Sequence, residues 1–271
     1  MSYKPSLILF ILIFLPFISS CSGEGAEEEA TDAACLNIGL YSKVINGREC
    51  GGLDNSPVLR LAIVKSDGSV GLCTGSLVTP DVILTAAHCV AGSLSQIIIG
   101  YGDPYSINIG NAIYYEISPG YKYIPSTGRL FNDVALVFLA NPINLPVMPI
   151  LLSRGVNAGE YGYVYGYGAE NYTTQPDFSN GSFLNAGAMT VREVTQNHLF
   201  VYFDGEGVNV CNGDSGGPMV VMVGGQPALA GVASQGSAEG CIPGDTTTFI
   251  NLHSPELLNW LAAKIPRAYV R

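Results

Sequence analysis

The chain has 271 residues, 48% of them hydrophobic, which admits one or two domains with a sizeable core. Only 13% of the residues are charged and the formal net charge is −10, so nothing here has the make-up of a nucleic-acid-binding patch. Glycine is abundant, at 33, and together with the low charge this favours many short strands joined by tight turns over helices.

The first element is a targeting segment. Lys4 precedes an apolar run over 7–18, too short to cross a bilayer, and residues 1–20 read as a signal peptide. It closes on Ile18-Ser19-Ser20-Cys21, small residues before a cysteine, which looks like a bacterial lipobox: the cysteine receives diacylglycerol and becomes the new N-terminus. An outer-membrane lipoprotein results, anchored by lipid with its domain in water. The alternative is a secreted soluble protein in which Cys21 is incidental. Residues 21–43, with Glu24, Glu27, Glu28, Glu29 and Asp32 among small residues, form an acidic tether and propeptide with no apolar periodicity.

Beyond Lys43, short apolar runs alternate with turn residues. Strands are predicted over 59–64, 75–78, 82–85, 96–99, 112–117 and 134–139. A second series follows over 161–165, 188–194, 199–203, 218–223, 229–234 and 247–252. A helix is predicted over 254–264, capped by Ser254 and with Pro255 at its first position.

Three separated motifs carry chemistry: LTAAHC at 84–89, NDVALV at 132–137 and GDSGGP at 213–218. They supply His88, Asp133 and Ser215 in that order. An alcohol is a poor nucleophile at neutral pH, so Ser215 needs a base, and the base needs a carboxylate to fix its tautomer. Gly213-Asp214-Ser215-Gly216-Gly217 also satisfies the nucleophile elbow of the α/β-hydrolases. There the acid and the histidine follow the serine, and the chain left after Ser215 is too short for the rest of such a sheet. That reading is rejected.

With the three motifs in this order the chain resembles the trypsin-like (chymotrypsin-fold) serine endopeptidases from about Val44 to its end. The resemblance implies an all-β fold of two six-stranded antiparallel Greek-key β-barrels, about 44–145 and 146–252, joined by 141–157 and followed by the C-terminal helix. His88 and Asp133 then fall in the first barrel and Ser215 in the second, with the site in the cleft between them. His88 acts as base and then acid, Asp133 orients it, and the amides of Gly213 and Ser215 form the oxyanion hole. Ser234-Gln235-Gly236 matches the segment whose backbone pairs with substrate, with Gln235 in place of the family's tryptophan. Tyr167, within Gly166-Tyr167-Gly168, likewise stands where Gly-Trp-Gly is usual.

Asn209 occupies the pocket floor where trypsin-like specificity requires an aspartate, so a basic P1 side chain would find no counter-ion there. Lys43-Val44-Ile45-Asn46-Gly47 looks like the family's zymogen cleavage site, the amine freed at Val44 pairing with Asp214. An enzyme that disfavours basic P1 residues needs a separate trypsin-like protease to cut after Lys43.

The chain has seven cysteines; six remain once Cys21 is assigned to lipid, and six allow 15 pairings. The resemblance pairs Cys73 with Cys89 and Cys211 with Cys241. Cys35 and Cys50 are left; in relatives a cysteine at the Cys50 position bonds to the second barrel, but this chain has no cysteine between Cys89 and Cys211, so Cys50 is paired with Cys35, two free thiols being the alternative. His198 and His253 have no such context and read as surface or packing residues. The expectation is an exported serine endopeptidase acting on proteins or peptides, made as a zymogen, without cofactor, metal or nucleic acid. A silent binding protein on the same scaffold would show a substituted triad, and an esterase would separate by turning over esters and not peptides.

Overall fold

Apolar residues alternate inward along the first regular segment, where Val58, Leu59, Leu61 and Ile63 are buried, and this period-2 pattern sets the architecture. The computed structural model describes residues 48–49, 56–101, 108–169, 184–237 and 241–268. Strands β1 (Arg48–Glu49), β2 (Val58–Lys65), β3 (Val70–Thr79) and β4 (Val82–Thr85) lead to a single helical turn, α1 (Ala87–Val90). Then come β5 (Leu94–Tyr101), β6 (Asn108–Ile117), β7 (Lys122–Ile124), β8 (Arg129–Phe131) and β9 (Ala135–Leu139). The second half holds β10 (Tyr161–Gly166), β11 (Asn185–Val194), β12 (His198–Tyr202), β13 (Pro218–Val223), β14 (Gln226–Gln235), β15 (Thr246–Asn251) and α2 (Pro255–Lys264).

The first barrel closes in the order β2-β3-β4-β9-β6-β5. The second follows the same scheme, β10-β11-β12-β15-β14-β13, closed by pairing of β10 with β13, with β1 added outside on β11. All the strand pairings are antiparallel, and closure leaves neither barrel a free edge. The fold is thus the expected pair of six-stranded barrels with a C-terminal helix. Every predicted strand is present, several extended at their ends: 75–78 is part of β3 and 112–117 is the second half of β6. The hairpin β7–β8 and the turn α1 were not predicted, because three or four residues are too few for either period to register.

One apolar cluster runs from the first barrel through Tyr165, Tyr167 and Val232 to Leu257 and Trp260 of α2, so the barrels and the helix share a continuous core. A second cluster around Val164, Val191, Leu199, Met219 and Phe249 fills the second barrel. The connection between barrels lacks strands of its own but is tied at both ends: Met148 N donates to Leu77 O at 2.7 Å, and Leu151 N to Leu229 O at 2.9 Å. Helix α2 begins as expected at Pro255, yet Ser254 does not cap it through its hydroxyl. The Ser254 carbonyl accepts Leu258 N at 2.9 Å instead. Leu257, Trp260 and Leu261 face inward, and Lys264 Nζ reaches Glu116 Oε2 on β6 at 2.6 Å.

Leu61 is fully buried at the centre of the first barrel, so Leu61→Ala should cost about 3 kcal/mol, whereas Ile113→Ala, at a side chain 65% exposed, should stay within about 0.5 kcal/mol. Urea unfolding of the two variants checks the contrast.

Candidate active site

His88 sits in α1, directly after the buried strand β4, and the two residues flanking it, Ala87 and Cys89, are buried. Cys89 is bonded to Cys73 of β3, which fixes the turn against the barrel wall. Asp133 lies between β8 and β9 with no exposed surface. Its Oδ1 accepts His88 N at 2.7 Å, and its Oδ2 lies 2.7 Å from His88 Nδ1 and accepts Ser234 Oγ at 2.6 Å. A buried carboxylate in contact with Nδ1 holds the proton on that nitrogen and leaves Nε2 as the acceptor facing away. Tyr121, near Asp133, has its hydroxyl held above the ordinary phenol range by burial first and by the neighbouring negative charge second.

Ser215 stands in the segment before β13, within the second of two consecutive tight turns. Asp214 N donates to Cys211 O at 2.9 Å, and Gly217 N donates to Asp214 O at 2.7 Å. The third residue of each turn is a glycine at positive φ, Gly213 at 101° and Gly216 at 83°, as turns of this kind require. Neither glycine could be replaced freely. A Cβ on Gly216 would overlap Thr85 Oγ1 and Thr74 O, and one on Gly213 would sit 2.8 Å from Gly168 Cα. Among the described residues, the amides of Gly213 and Ser215 have no hydrogen-bond acceptor, and Ser215 Oγ has no partner. Ser215 and His88 meet at the disulfide: Cys89 Sγ is 3.8 Å from His88 Nε2 and 3.7 Å from Ser215 O. Cys73, His88 and Cys89 form the one cluster among the described residues with metal-like spacing, but both sulfurs are spent in the disulfide and offer no thiolate.

The second predicted disulfide, Cys211–Cys241, is also present. It frames Asn209, which is fully buried. Asn209 Nδ2 donates to Cys241 O at 3.2 Å and to Asp245 Oδ2 at 3.4 Å, and Asn209 Oδ1 accepts from Val210 N and Thr247 Oγ1. Asp245, which sequence reading missed, is itself buried, its Oδ1 accepting Ser237 N at 2.7 Å and Ser237 Oγ at 3.0 Å. Gly236 lies against the Asp245 carboxylate, where a Cβ would come within 2.8 Å of Oδ2. The segment 242–248 lies behind Asn209, which it contacts through Asp245 and Thr247.

Asp214 is buried and accepts Gly168 N and Cys211 N, each at 2.8 Å, and Gly166 and Gly168 are the only residue type that leaves room for its carboxylate. Tyr167 between them is buried and crosses the barrel junction, donating its hydroxyl to Val58 O at 3.2 Å. Gln235 does likewise: Leu130 N donates to its Oε1 at 2.7 Å and its Nε2 donates to Gly128 O at 2.9 Å. Of the two alternatives for His198, surface or packing, it takes the second. It is buried, bonded through Nε2 to Leu130 O at 2.8 Å and edge-on to Phe131, and burial holds its imidazole below the usual range. No pattern in the sequence marks such cross-barrel contacts, since their partners lie far apart in the chain. Cys21, Cys35, Lys43, Val44 and Cys50 lie outside the described residues.

The family model described as Trypsin matches residues 49–261. A trypsin-like protease of Streptomyces glaucescens is 32% identical over a stretch covering 54% of this chain and 58% of that protein. Chymotrypsin-C of mouse is 30% identical, covering 73% of this chain and 81% of the relative. The cercarial protease of Schistosoma mansoni is 31% identical, covering 61% and 70%. Two closed barrels and a family match spanning most of the chain converge: the protein belongs to the trypsin family of serine endopeptidases.

Proposed function

We propose that this is an exported endopeptidase that cleaves proteins or peptides through Ser215, His88 and Asp133, made as a zymogen and activated by cleavage after Lys43. The observation that carries the reading is the Asp133 carboxylate, buried and gripping His88 through both ring and backbone, with Ser215 against the same disulfide as the ring. In the first step Ser215 Oγ attacks the scissile carbonyl carbon while His88 Nε2 takes its proton. The tetrahedral oxyanion is met by the Gly213 and Ser215 amides, and His88 returns the proton to the leaving amine. Water then hydrolyses the acyl-enzyme by the same route.

Ser234 and Gly236 offer backbone to the substrate as an added strand, at the end of β14 where its ladder with β15 shifts register between Ala233 and Gln235. Asn209 brings no charge to the pocket floor, and the nearby Asp245 is engaged by Ser237 and Asn209, so neutral P1 residues are preferred. Asp214 is the acceptor for the amine freed at Val44. Cys21 carries lipid, holding the protein at the outer membrane, and the two disulfides suit an oxidising compartment outside the cytoplasm.

Ser215→Ala and His88→Ala should each remove nearly all peptide hydrolysis, about 10⁶-fold in kcat, with the double variant little worse than either. Additive losses in single-turnover assays would sink the triad.

A P1-profiling peptide library should rank neutral residues above Lys and Arg. Asn209→Asp should shift the ranking toward basic residues, but weakly near neutral pH: its carboxylate would face Asp245, and like charges that close do not both ionise. A wild type that cuts best after Arg would show the pocket floor to be wrongly placed.

Cys35 and Cys50, if bridged, straddle Lys43, so cleavage there leaves the peptidase tied to its lipidated segment. Trypsin treatment of membranes bearing the Ser215→Ala protein should release the domain only when reductant is added. Release without reductant would remove the bridge from the account.

A further inference from the structure

The strand that delivers Asp133 to His88 is pinned from outside its own barrel ladder. At Leu130, N–H and C=O are held by Gln235 of β14 and His198 of β12, and the Arg129 guanidinium lies 4.6 Å from the centre of the Phe200 ring. Two residues on, Asn132 adopts φ 47°, a left-handed conformation that a non-glycine residue keeps only when its surroundings over-determine it. The Asn132 side-chain amide donates to Pro119 O at 2.9 Å and to Glu256 Oε2 at 2.7 Å. Its carbonyl accepts the Ser118 hydroxyl and, at 2.8 Å, Val134 N, so that Asp133 is the middle residue of a γ-turn.

Glu256 belongs to the first turn of α2, at the far end of the chain. The fold leaves space for its contact. Gly120, at φ 72°, passes so close that a Cβ there would lie 2.8 Å from Asn132 Nδ2 and 3.0 Å from Glu256 Oε1. We propose that Glu256 is a positioning residue for Asp133, acting through Asn132, and that with Gln235 and His198 it completes a clamp across the barrels. Freed of Glu256, the Asn132 amide keeps one anchor instead of two, the Asn132–Asp133 peptide can rotate, and the carboxylate moves relative to His88 Nδ1. A small displacement there acts on the chemical step and leaves substrate binding alone. The role rests on the triad reading above.

The test uses the processed full-length protein with Glu256→Ala, Asn132→Gly, their double and Glu256→Gln, each titrated with a fluorophosphonate so that rates refer to competent serines. Glycine tolerates the left-handed backbone, so Asn132→Gly removes the amide without straining the turn. In each of Glu256→Ala and Asn132→Gly, kcat per titrated site should fall about ten-fold with KM within about two-fold, and the double should be no worse than the singles. Glu256→Gln should keep the wild-type kcat, because its amide oxygen still accepts from Asn132. Wild-type kcat per site in Glu256→Ala, additive losses, or a Glu256→Gln loss as large as that of alanine would overturn the assignment. So would a variant that only melts earlier. Absence of labelling at Ser215 in the wild type would instead bring down the triad on which the role depends.

Discussion

A carboxylate with no exposed surface is tolerable only where donors converge on it, and Asp133 is met by the His88 amide, the His88 ring and the Ser234 hydroxyl. Two of these come from the first barrel and one from the second, so satisfying a single buried charge requires both barrels and their junction. The rest of the molecule is arranged to make that possible. The shared core through Tyr165 and Tyr167 holds the barrels together, the Cys73–Cys89 bridge fixes α1, and the turns around Ser215 close against Thr74, whose amide donates to Ser215 O at 2.8 Å.

Glycine plays a steric part in the same junction. Gly166, Gly168 and Gly216 each face a group of the opposite wall that any side chain would strike: the Asp214 carboxylate for the first two, and Thr85 with Thr74 for the third. These contacts show why the motifs contain glycine at those places irrespective of the chemistry. The buried Asp214 is enclosed by two such glycines and accepts two backbone amides, so it is as tightly set as Asp133 while lying apart from His88.

Much of this was legible in the chain. The alternation of apolar residues gave twelve strands, because a half-buried sheet surface imposes period 2 over four or more residues. The three motifs gave His88, Asp133 and Ser215, and the resemblance paired four cysteines as the structure does. What escaped was of another kind. Asp245 behind Asn209, Glu256 on Asn132 and Gln235 on Leu130 are contacts between residues distant in sequence, made by side chains that carry no period and no motif. His198 proves to be the packing residue of the two alternatives, but its particular partner escaped because Leu130 offers only a backbone carbonyl, which every residue has. Ser254 was placed correctly as the residue before α2, but position alone does not aim a hydroxyl.

The last helix reaches back to the first barrel twice, through Lys264 to Glu116 and through Glu256 to Asn132. Ribosomes make chains from the N-terminus, so the histidine and aspartate of this protein exist long before the residues that fasten their surroundings. A nascent chain therefore has the histidine and aspartate before the helix that contacts their surroundings has been made. The contacts that hold Asn132 and Glu116 from the C-terminal side form only once that helix is made, so this part of the barrel junction is completed late in synthesis.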